Sequence, residues 1–512
     1  MPGGKNKMRA RHVTAVTATA GGARPDGGPL APGDVVDLVA GEAAHGGWCV
    51  ARLPAGYGGP GEPGGAQDGE ATGDGDRGRV VFLRHALPGE RVRARITEIT
   101  SRFARADAVE ILTASTDRVE PPCPYARPGG CGGCDWQHAS LPAQRQLKAS
   151  VVSQQLKRIA GLDRQVTVEP LPGDEDKPAS ARPGGPGGMG GTPGPEGPAG
   201  SPGPPGLGWR TRVKFAVRGD GVAGLRAHRS HEVIDVADCL IAHPGIRDIG
   251  VPGRRWPRAT SVEAVIAAGS GERAVIVSRG TRSASLKGIA AESVLSAAAR
   301  GGRATVLRGR SYLRQHAAGR SWRVSAGGFW QVHPGAADTL ARAVLGALRP
   351  RPGDTALDLY CGAGLFAGVL AAAVGPGGAV VGIEADSAAA RDARRNLRDM
   401  PWAKVYQGDA GDVIARRALP AARLAVLDPP RTGPARGVIE YLATQPERSD
   451  GHDAGGPMAG ERRVAYVSCD PATLARDIAT FLRNGWRLED LRAFDAFPMT
   501  HHVECVATLT FA

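Results

Sequence analysis

Two residues near the end of the chain have the types and settings for covalent chemistry. Cys469 stands in Tyr466-Val467-Ser468-Cys469-Asp470-Pro471, directly after a short apolar run. Glu504 ends Phe497-Pro498-Met499-Thr500-His501-His502-Val503-Glu504, just ahead of the last apolar run. A thiolate is suited to adding to an electron-poor ring carbon. A carboxylate at the mouth of an apolar strand is costly unless it is exposed or has a role, and removing a proton is such a role. Together they meet the needs of substitution at C5 of a uracil. Addition of a nucleophile to C6 gives C5 carbanion character, and once C5 has gained its new bond, its proton must leave so that the nucleophile can be eliminated. A buried strand cysteine is the ordinary alternative for Cys469, but a cysteine at a strand end followed by Asp-Pro is better placed for chemistry.

A cofactor site precedes this pair. Leu357-Asp358-Leu359-Tyr360-Cys361-Gly362-Ala363-Gly364 reads as a buried strand entering a glycine turn and then a helix, and glycines there let a ligand approach the backbone. The next strand ends at Glu384, where a carboxylate can accept from both ribose hydroxyls. NAD meets that much, but Asp-x-Tyr-Cys-Gly-x-Gly is not Gly-x-Gly-x-x-Gly and fits S-adenosylmethionine better. Asp409 follows the third strand and can accept from an adenine amino group. Asp428, in Leu427-Asp428-Pro429-Pro430-Arg431, ends the fourth, in a loop stiffened by two prolines, where methyl donor and target base should meet. Cys123, Cys131 and Cys134 crowd together, and Cys239 is the candidate fourth thiolate for zinc or an iron-sulfur cluster, with the spacing alone favouring zinc.

These residues need a scaffold. From Phe329 onwards, short apolar strands (Thr355 to Tyr360, Val380 to Glu384, Leu424 to Leu427, Val464 to Ser468) alternate with amphipathic helices such as Asp338 to Leu348, which predicts a Rossmann-like, doubly wound α/β domain over 326–512. Residues 31–115 read as a small all-β, OB-like barrel whose strands carry Arg79, Arg84, Arg91, Arg93, Arg95, Arg102 and Arg105 beside Phe82 and Phe103, a face suited to nucleic acid. Residues 116–325 form a mixed α+β central domain with the cysteines and a hairpin from Arg212 to Leu225 turning at Gly219-Asp220-Gly221. Residues 1–30, 172–208 and 447–461 cannot bury enough apolar surface to fold. The 512 residues exceed what one core supports, and a net charge of +13 points to a polyanionic partner. Of the 64 basic residues only 8 are lysine, so composition bias also contributes to that charge. Eight cysteines are too few for a disulfide scaffold, and no apolar run is long enough for a bilayer. The expectation is a soluble, cytoplasmic, monomeric protein.

Phe329-x-Gln331, Asp358-Leu359-Tyr360-Cys361-Gly362-x-Gly364, Asp428-Pro429-Pro430-Arg431, Ser468-Cys469-Asp470-Pro471 and Phe497-Pro498-x-Thr500-x-His502-Val503-Glu504, in this order, resemble the bacterial RNA (uracil-5)-methyltransferases. The N-terminal region, with His45-Gly46-Gly47 and Ala86-Leu87-Pro88-Gly89-Glu90, resembles their RNA-binding TRAM domain. The resemblance implies that Gln331, Tyr360, Glu384, Asp409 and Asp428 contact S-adenosylmethionine, that Cys469 is the nucleophile and Glu504 the base, and that the four cysteines hold a [4Fe-4S] cluster. The barrel and the cysteines lean towards 23S ribosomal RNA, with tRNA the alternative. His333 stands where the family usually has Asn, and Leu365 where it often has a cofactor-contacting Asn, so Leu365 is not assigned as a ligand. The gap from Cys123 to Cys131 is two residues longer than the family's usual one. An amino-group methyltransferase is disfavoured by Arg431 at the aromatic position of its loop. A cytosine C5 enzyme is disfavoured by the lack of a cysteine after Pro430, and a catalytically silent RNA-binding factor by the presence of both Cys469 and Glu504.

Overall fold

The computed structural model describes residues 30–53, 78–174, 204–278, 287–297, 304–444 and 461–511. The stretches read as unable to fold, 1–30, 172–208 and 447–461, lie outside the described residues apart from their edges.

Six strands, β1 (Val35–Val39), β2 (Ala43–Ala44), β3 (Trp48–Arg52), β4 (Val80–Arg84), β5 (Arg91–Ile99) and β6 (Phe103–Thr113), form one sheet in the order β1-β5-β6-β4-β3-β2. Period-two alternation sets its faces: along β5, Val92, Ala94 and Ile96 are buried while Arg91 and Arg95 are exposed. The expected arginine face is thinner than its residue types suggest. Arg84 is buried against Asp135, Arg93 pairs with Asp37 and Glu110, and Arg105 pairs with Glu98.

Next come α1 (Leu141–Gln155), extended by one π-helical turn over Leu156–Ala160, and β7 (Val168–Pro170). Both pack on the C-terminal domain. Lys148 of α1 is fully buried and donates to Asp495 (2.5 Å) and to the Phe497 carbonyl (3.0 Å). Two buried opposite charges must stay paired, since either alone is expensive. The central region is built on β8 (Arg212–Val217), β9 (Ala223–Arg226), β10 (Val233–Ile234), the short α2 (Pro244–Arg247), β11 (Ser261–Ile266), β12 (Arg273–Ser278), β13 (Ser293–Ala297) and β14 (Thr305–Arg308). Its seven strands run in the order β10-β9-β8-β11-β12-β13-β14. The expected hairpin is β8–β9, with Ala216 opposite Gly224 and Gly221 at φ +83°. A separate hairpin, β15 (Tyr312–Ala317) and β16 (Arg320–Ser325), leads into the last domain.

That domain comprises α3 (Ala336–Leu348), β17 (Thr355–Leu359), α4 (Leu365–Val374), β18 (Ala379–Glu384), α5 (Ser387–Asn396), β19 (Ala403–Gln407), α6 (Ala410–Arg416), β20 (Leu424–Leu427), α7 (Arg436–Thr444), β21 (Arg462–Ser468), α8 (Pro471–Arg483), β22 (Arg487–Asp495) and β23 (Glu504–Phe511). Its eight-stranded sheet has the order β19-β18-β17-β20-β21-β23-β22-β7. The first five strands are parallel and β23 inserts antiparallel. Helices cover both faces, so β17, β20 and β21 are buried throughout and are apolar apart from Thr355 and Asp358 in β17 and Arg462, Arg463 and Ser468 in β21. No described helix is long and apolar enough to cross a membrane.

Candidate active site

In a parallel sheet of this kind ligands gather where strands give way to loops at their carboxyl ends. At the end of β17, Tyr360 adopts φ +79° and Gly362 φ +54°, and a side chain at Gly362 would point into open space, so the turn presents bare backbone. Cys361 turns inward, its sulfur where a side chain at Gly382 would stand, which explains the glycine in β18. Asp358 is fully buried, with one carboxylate oxygen accepting from Ala367 N (2.6 Å) and the other without a partner; burial pushes its pKa up to about 8. Glu384, closing β18, accepts from Gly362 N (2.9 Å) and Asp386 N (2.6 Å), tying the glycine turn to the next strand end. Asp409 is exposed and caps α6 through Oδ1, accepting from Gly411 N and Asp412 N. Asp428 leaves β20 partly buried, and burial lifts its pKa to about 7. Tyr360 feels the charge of Asp409, and Asp358 feels those of Asp428 and Glu384, so these strand ends converge. Gln331 is buried in the loop before α3, where Thr211 donates to the neighbouring Val332 carbonyl. Leu365, at the start of α4, packs in the hydrophobic core. The open glycine turn, the carboxylate beside it and the unpartnered oxygen of Asp358 suit a ligand with hydroxyl, amino and cationic groups, as S-adenosylmethionine has.

The thiol and the base are neighbours because of strand register. Ser468 of β21 lies opposite Cys505 of β23, so the residues that continue each strand, Cys469 and Glu504, come close enough for the Glu504 charge to act on the thiol. Glu504 is the first residue of β23 rather than a residue ahead of it. The chain turns sharply after Cys469, because Asp470 caps α8 by accepting from Thr473 N (2.8 Å) and Pro471 begins the helix. Burial, reinforced by Glu504, pushes the Cys469 thiol up to about 12, and Arg431, within hydrogen-bonding reach, opposes the rise. Burial and then Asp428 raise Glu504 well above the carboxylate range, again with Arg431 opposing. Arg431, which the sequence offered only as an argument against another enzyme class, is thus the one cation facing both groups among the described residues that shift them. It also lies 3.2 Å from His502 Nε2, whose pKa burial lowers to about 3 and which is therefore neutral.

The loop leading to Glu504 is held from outside the domain. Met499, at φ +68°, donates to Gln144 (2.7 Å), and its carbonyl accepts from the backbone N–H groups of Asp135 and Trp136. The buried Asp135 carboxylate accepts from His501 N (3.2 Å) and pairs with His501 Nδ1 (2.6 Å). A cavity of about 180 Å³ opens over Cys469, bordered by Ala44, His45, Gly46, Arg431 and His502.

Cys123, Cys131, Cys134 and Cys239 share a second cavity, of about 570 Å³, which Arg210 and His228 also line. Burial raises the thiols of Cys131 and Cys134 and takes Cys239 up to about 11. Among the described residues no group of three or more His, Cys, Asp or Glu is arranged so that it could hold a metal ion. The four thiols share the lining of one cavity, and four thiols are the donor type that zinc and iron-sulfur sites use.

Known proteins resemble this chain over most of its length. Residues 62–109 match the TRAM domain family, 457–511 the family described as tRNA (Uracil-5-)-methyltransferase, and 335–413 that described as Protein-L-isoaspartate(D-aspartate) O-methyltransferase. An RNA methyltransferase of Streptomyces avermitilis is 45% identical over 486 residues, covering 93% of this chain and 98% of its own. The 23S rRNA (uracil(1939)-C(5))-methyltransferase of Shewanella sp. (strain MR-4) is 28% identical, covering 85% and 92%. The structure of Pyrococcus abyssi tRNA (uracil-54, C5)-methyltransferase shares the fold with a TM-score of 0.58 at 20% identity, covering 84% of this chain and 95% of its own.

Proposed function

The chain belongs to the RNA (uracil-5)-methyltransferases with an N-terminal TRAM domain, and on that premise we propose that Cys469 and Glu504 are the nucleophile and base of its S-adenosylmethionine-dependent methylation of an RNA uridine at C5. The observation that supports this reading is that Cys469 and Glu504, next to the paired Ser468 and Cys505, act electrostatically on one another and share Arg431 as the opposing cation.

Gln331, Tyr360, Glu384, Asp409 and Asp428 would hold the cofactor, whose sulfonium supplies an electrophilic methyl group for C5. The chain's own residues do the rest. Arg431 favours the thiolate of Cys469, which forms a bond to C6 and passes negative charge to C5 and O4. After C5 carries its methyl group, ionised Glu504 takes the C5 proton, the C5–C6 double bond re-forms and the thiolate leaves. Burial makes Glu504 a stronger base than an exposed carboxylate. Incubated with RNA and labelled cofactor, Cys469→Ala should give neither adduct nor 5-methyluridine, whereas Glu504→Gln should accumulate a covalent RNA adduct. Methylation by Cys469→Ala would sink the mechanism.

For the RNA, we take a tRNA uridine as the first reading and 23S rRNA as the second. The fold shared with a tRNA enzyme extends over 84% of this chain, more than residues 326–512 provide, so the accessory domains do not by themselves mark an rRNA enzyme. The Shewanella relative supports the second reading. Mapping 5-methyluridine in both RNAs from a strain lacking the protein decides between them. We also read the four-cysteine cavity as the seat of a [4Fe-4S] cluster with a structural or RNA-positioning part. Anaerobically purified protein should carry equal iron and sulfide, and stoichiometric zinc would overturn the assignment. Action as a cytoplasmic monomer completes the proposal.

A further inference from the structure

The cavity over Cys469 is not closed by the catalytic domain alone. One side of it is Ala44, which ends β2, with His45 and Gly46 of the loop from β2 into β3 of the N-terminal sheet. His45 Nε2 lies 3.1 Å from Asp470 Oδ2, bridging 425 residues of sequence to the neighbour of Cys469, while the other oxygen of Asp470 caps α8. Two residues on, Gly47 has φ +81° and is seated so closely that a side-chain carbon there would come within 3.0 Å of Asp135 Cβ and 3.1 Å of His501 Cβ. The loop is therefore nested into the knot that holds the base loop, by a specific hydrogen bond at one end and a fit only glycine allows at the other. The same loop runs directly into Trp48, whose ring packs with Phe82 and lies under Arg105. Phe82 in turn packs on Phe103.

We propose that the His45–Gly47 loop is one wall of the pocket that receives the flipped uracil, and that His45, held by Asp470, is a positioning residue that seats the ring against Cys469. The proposal rests on the reading above. A base taken out of its stack needs a shaped pocket to hold its reactive carbon in line. Here that pocket is complete only with the N-terminal sheet docked, so the sheet contributes to turnover and not merely to RNA affinity. His45 is 40% exposed at its side chain, so replacing it should leave the fold intact.

The test uses full-length protein, bulk RNA from a strain lacking it, and methyl-labelled cofactor. His45→Ala should lower kcat about tenfold or more while RNA Kd, by filter binding, stays within about twofold. His45→Gln, which keeps an N–H for Asp470, should recover most of the rate. In a Glu504→Gln background, His45→Ala should lower the yield of trapped adduct, a direct readout of ring seating. Wild-type kcat in His45→Ala would overturn the proposal. So would an unchanged kcat with weakened RNA binding, which would make the loop a grip on RNA alone. If wild-type protein makes no 5-methyluridine, both this inference and the reading beneath it fail.

Discussion

The two halves of the candidate site are built in opposite ways. On the cofactor side, Tyr360, Glu384, Asp409 and Asp428 each stand at the end of a strand of one parallel sheet, placed by that strand and the turn after it. On the reaction side, only Cys469 and Glu504 are placed by the sheet. Around them, Arg431 comes from a neighbouring loop, Asp135 from the segment ahead of α1, and His45 from the N-terminal sheet. A donor used in every cycle can be served by a fixed edge. A base that must be taken from folded RNA calls for walls that belong to the RNA-binding parts.

This contrast can be broken by three substitutions. The largest effect is expected from Asp135→Ala, which leaves Arg84 buried without its partner and frees His501. Loss of one partner of a buried pair costs about 3–5 kcal/mol, to be read by denaturant unfolding. Burial works against ionisation of Asp135, but His501, backed by Arg84, holds its pKa down at about 2. Its contribution is thus present above the ordinary carboxylate range and is lost as pH falls towards about 2, so the stability gap between wild type and variant should narrow in acid. If that gap does not change with pH, the ion pair is not what holds the loop.

Arg431→Ala comes next. It should lower kcat about 100-fold, the scale on which charge stabilisation at a reacting group acts, without weakening cofactor binding. Alkylation of Cys469 should also slow at fixed pH and, with a thiol pKa near 12, rise roughly tenfold per pH unit through neutrality in wild type. An unchanged alkylation rate would remove Arg431 from the thiol's environment. The smallest effect is expected from Glu384→Gln, which gives up charge-assisted bonds on the cofactor side. Cofactor Kd, by calorimetry, should rise about tenfold, equivalent to ~1.4 kcal/mol, with no loss of RNA affinity. Weakened RNA binding there would show that the two sides are not separately built.

The same contrast governs what could be read in advance. The strands at 355–359, 379–384 and 424–427 are legible because a strand covered on both faces is mostly apolar and a ligand-facing turn favours glycine. Cys469 and Glu504 were visible as polar groups at the borders of apolar runs. Asp409 was legible as a strand-end carboxylate, but its work in capping α6 appears only in the structure. Arg84, counted with an RNA-facing set, proved to be a buried partner of Asp135, because residue type gives charge but not the direction in which a strand faces. His333 pairs with Asp174 (2.8 Å), which also accepts from Gly206 N (2.8 Å), so residues near both ends of the Gly/Pro tract meet beside the loop before α3. Nothing in either segment announces that contact.

The sequence by itself determined where the short parallel strands lie and which strand-end carboxylates, thiol and base are candidates, because each depends on local periodicity, turn chemistry or the cost of a polar group near an apolar run. Only the tertiary structure decided that Cys469 lies near Glu504, that Arg431 acts on both, and that His45 reaches Asp470. Register between distant strands and hydrogen bonds spanning 425 residues follow from how whole faces pack, and no local pattern encodes them.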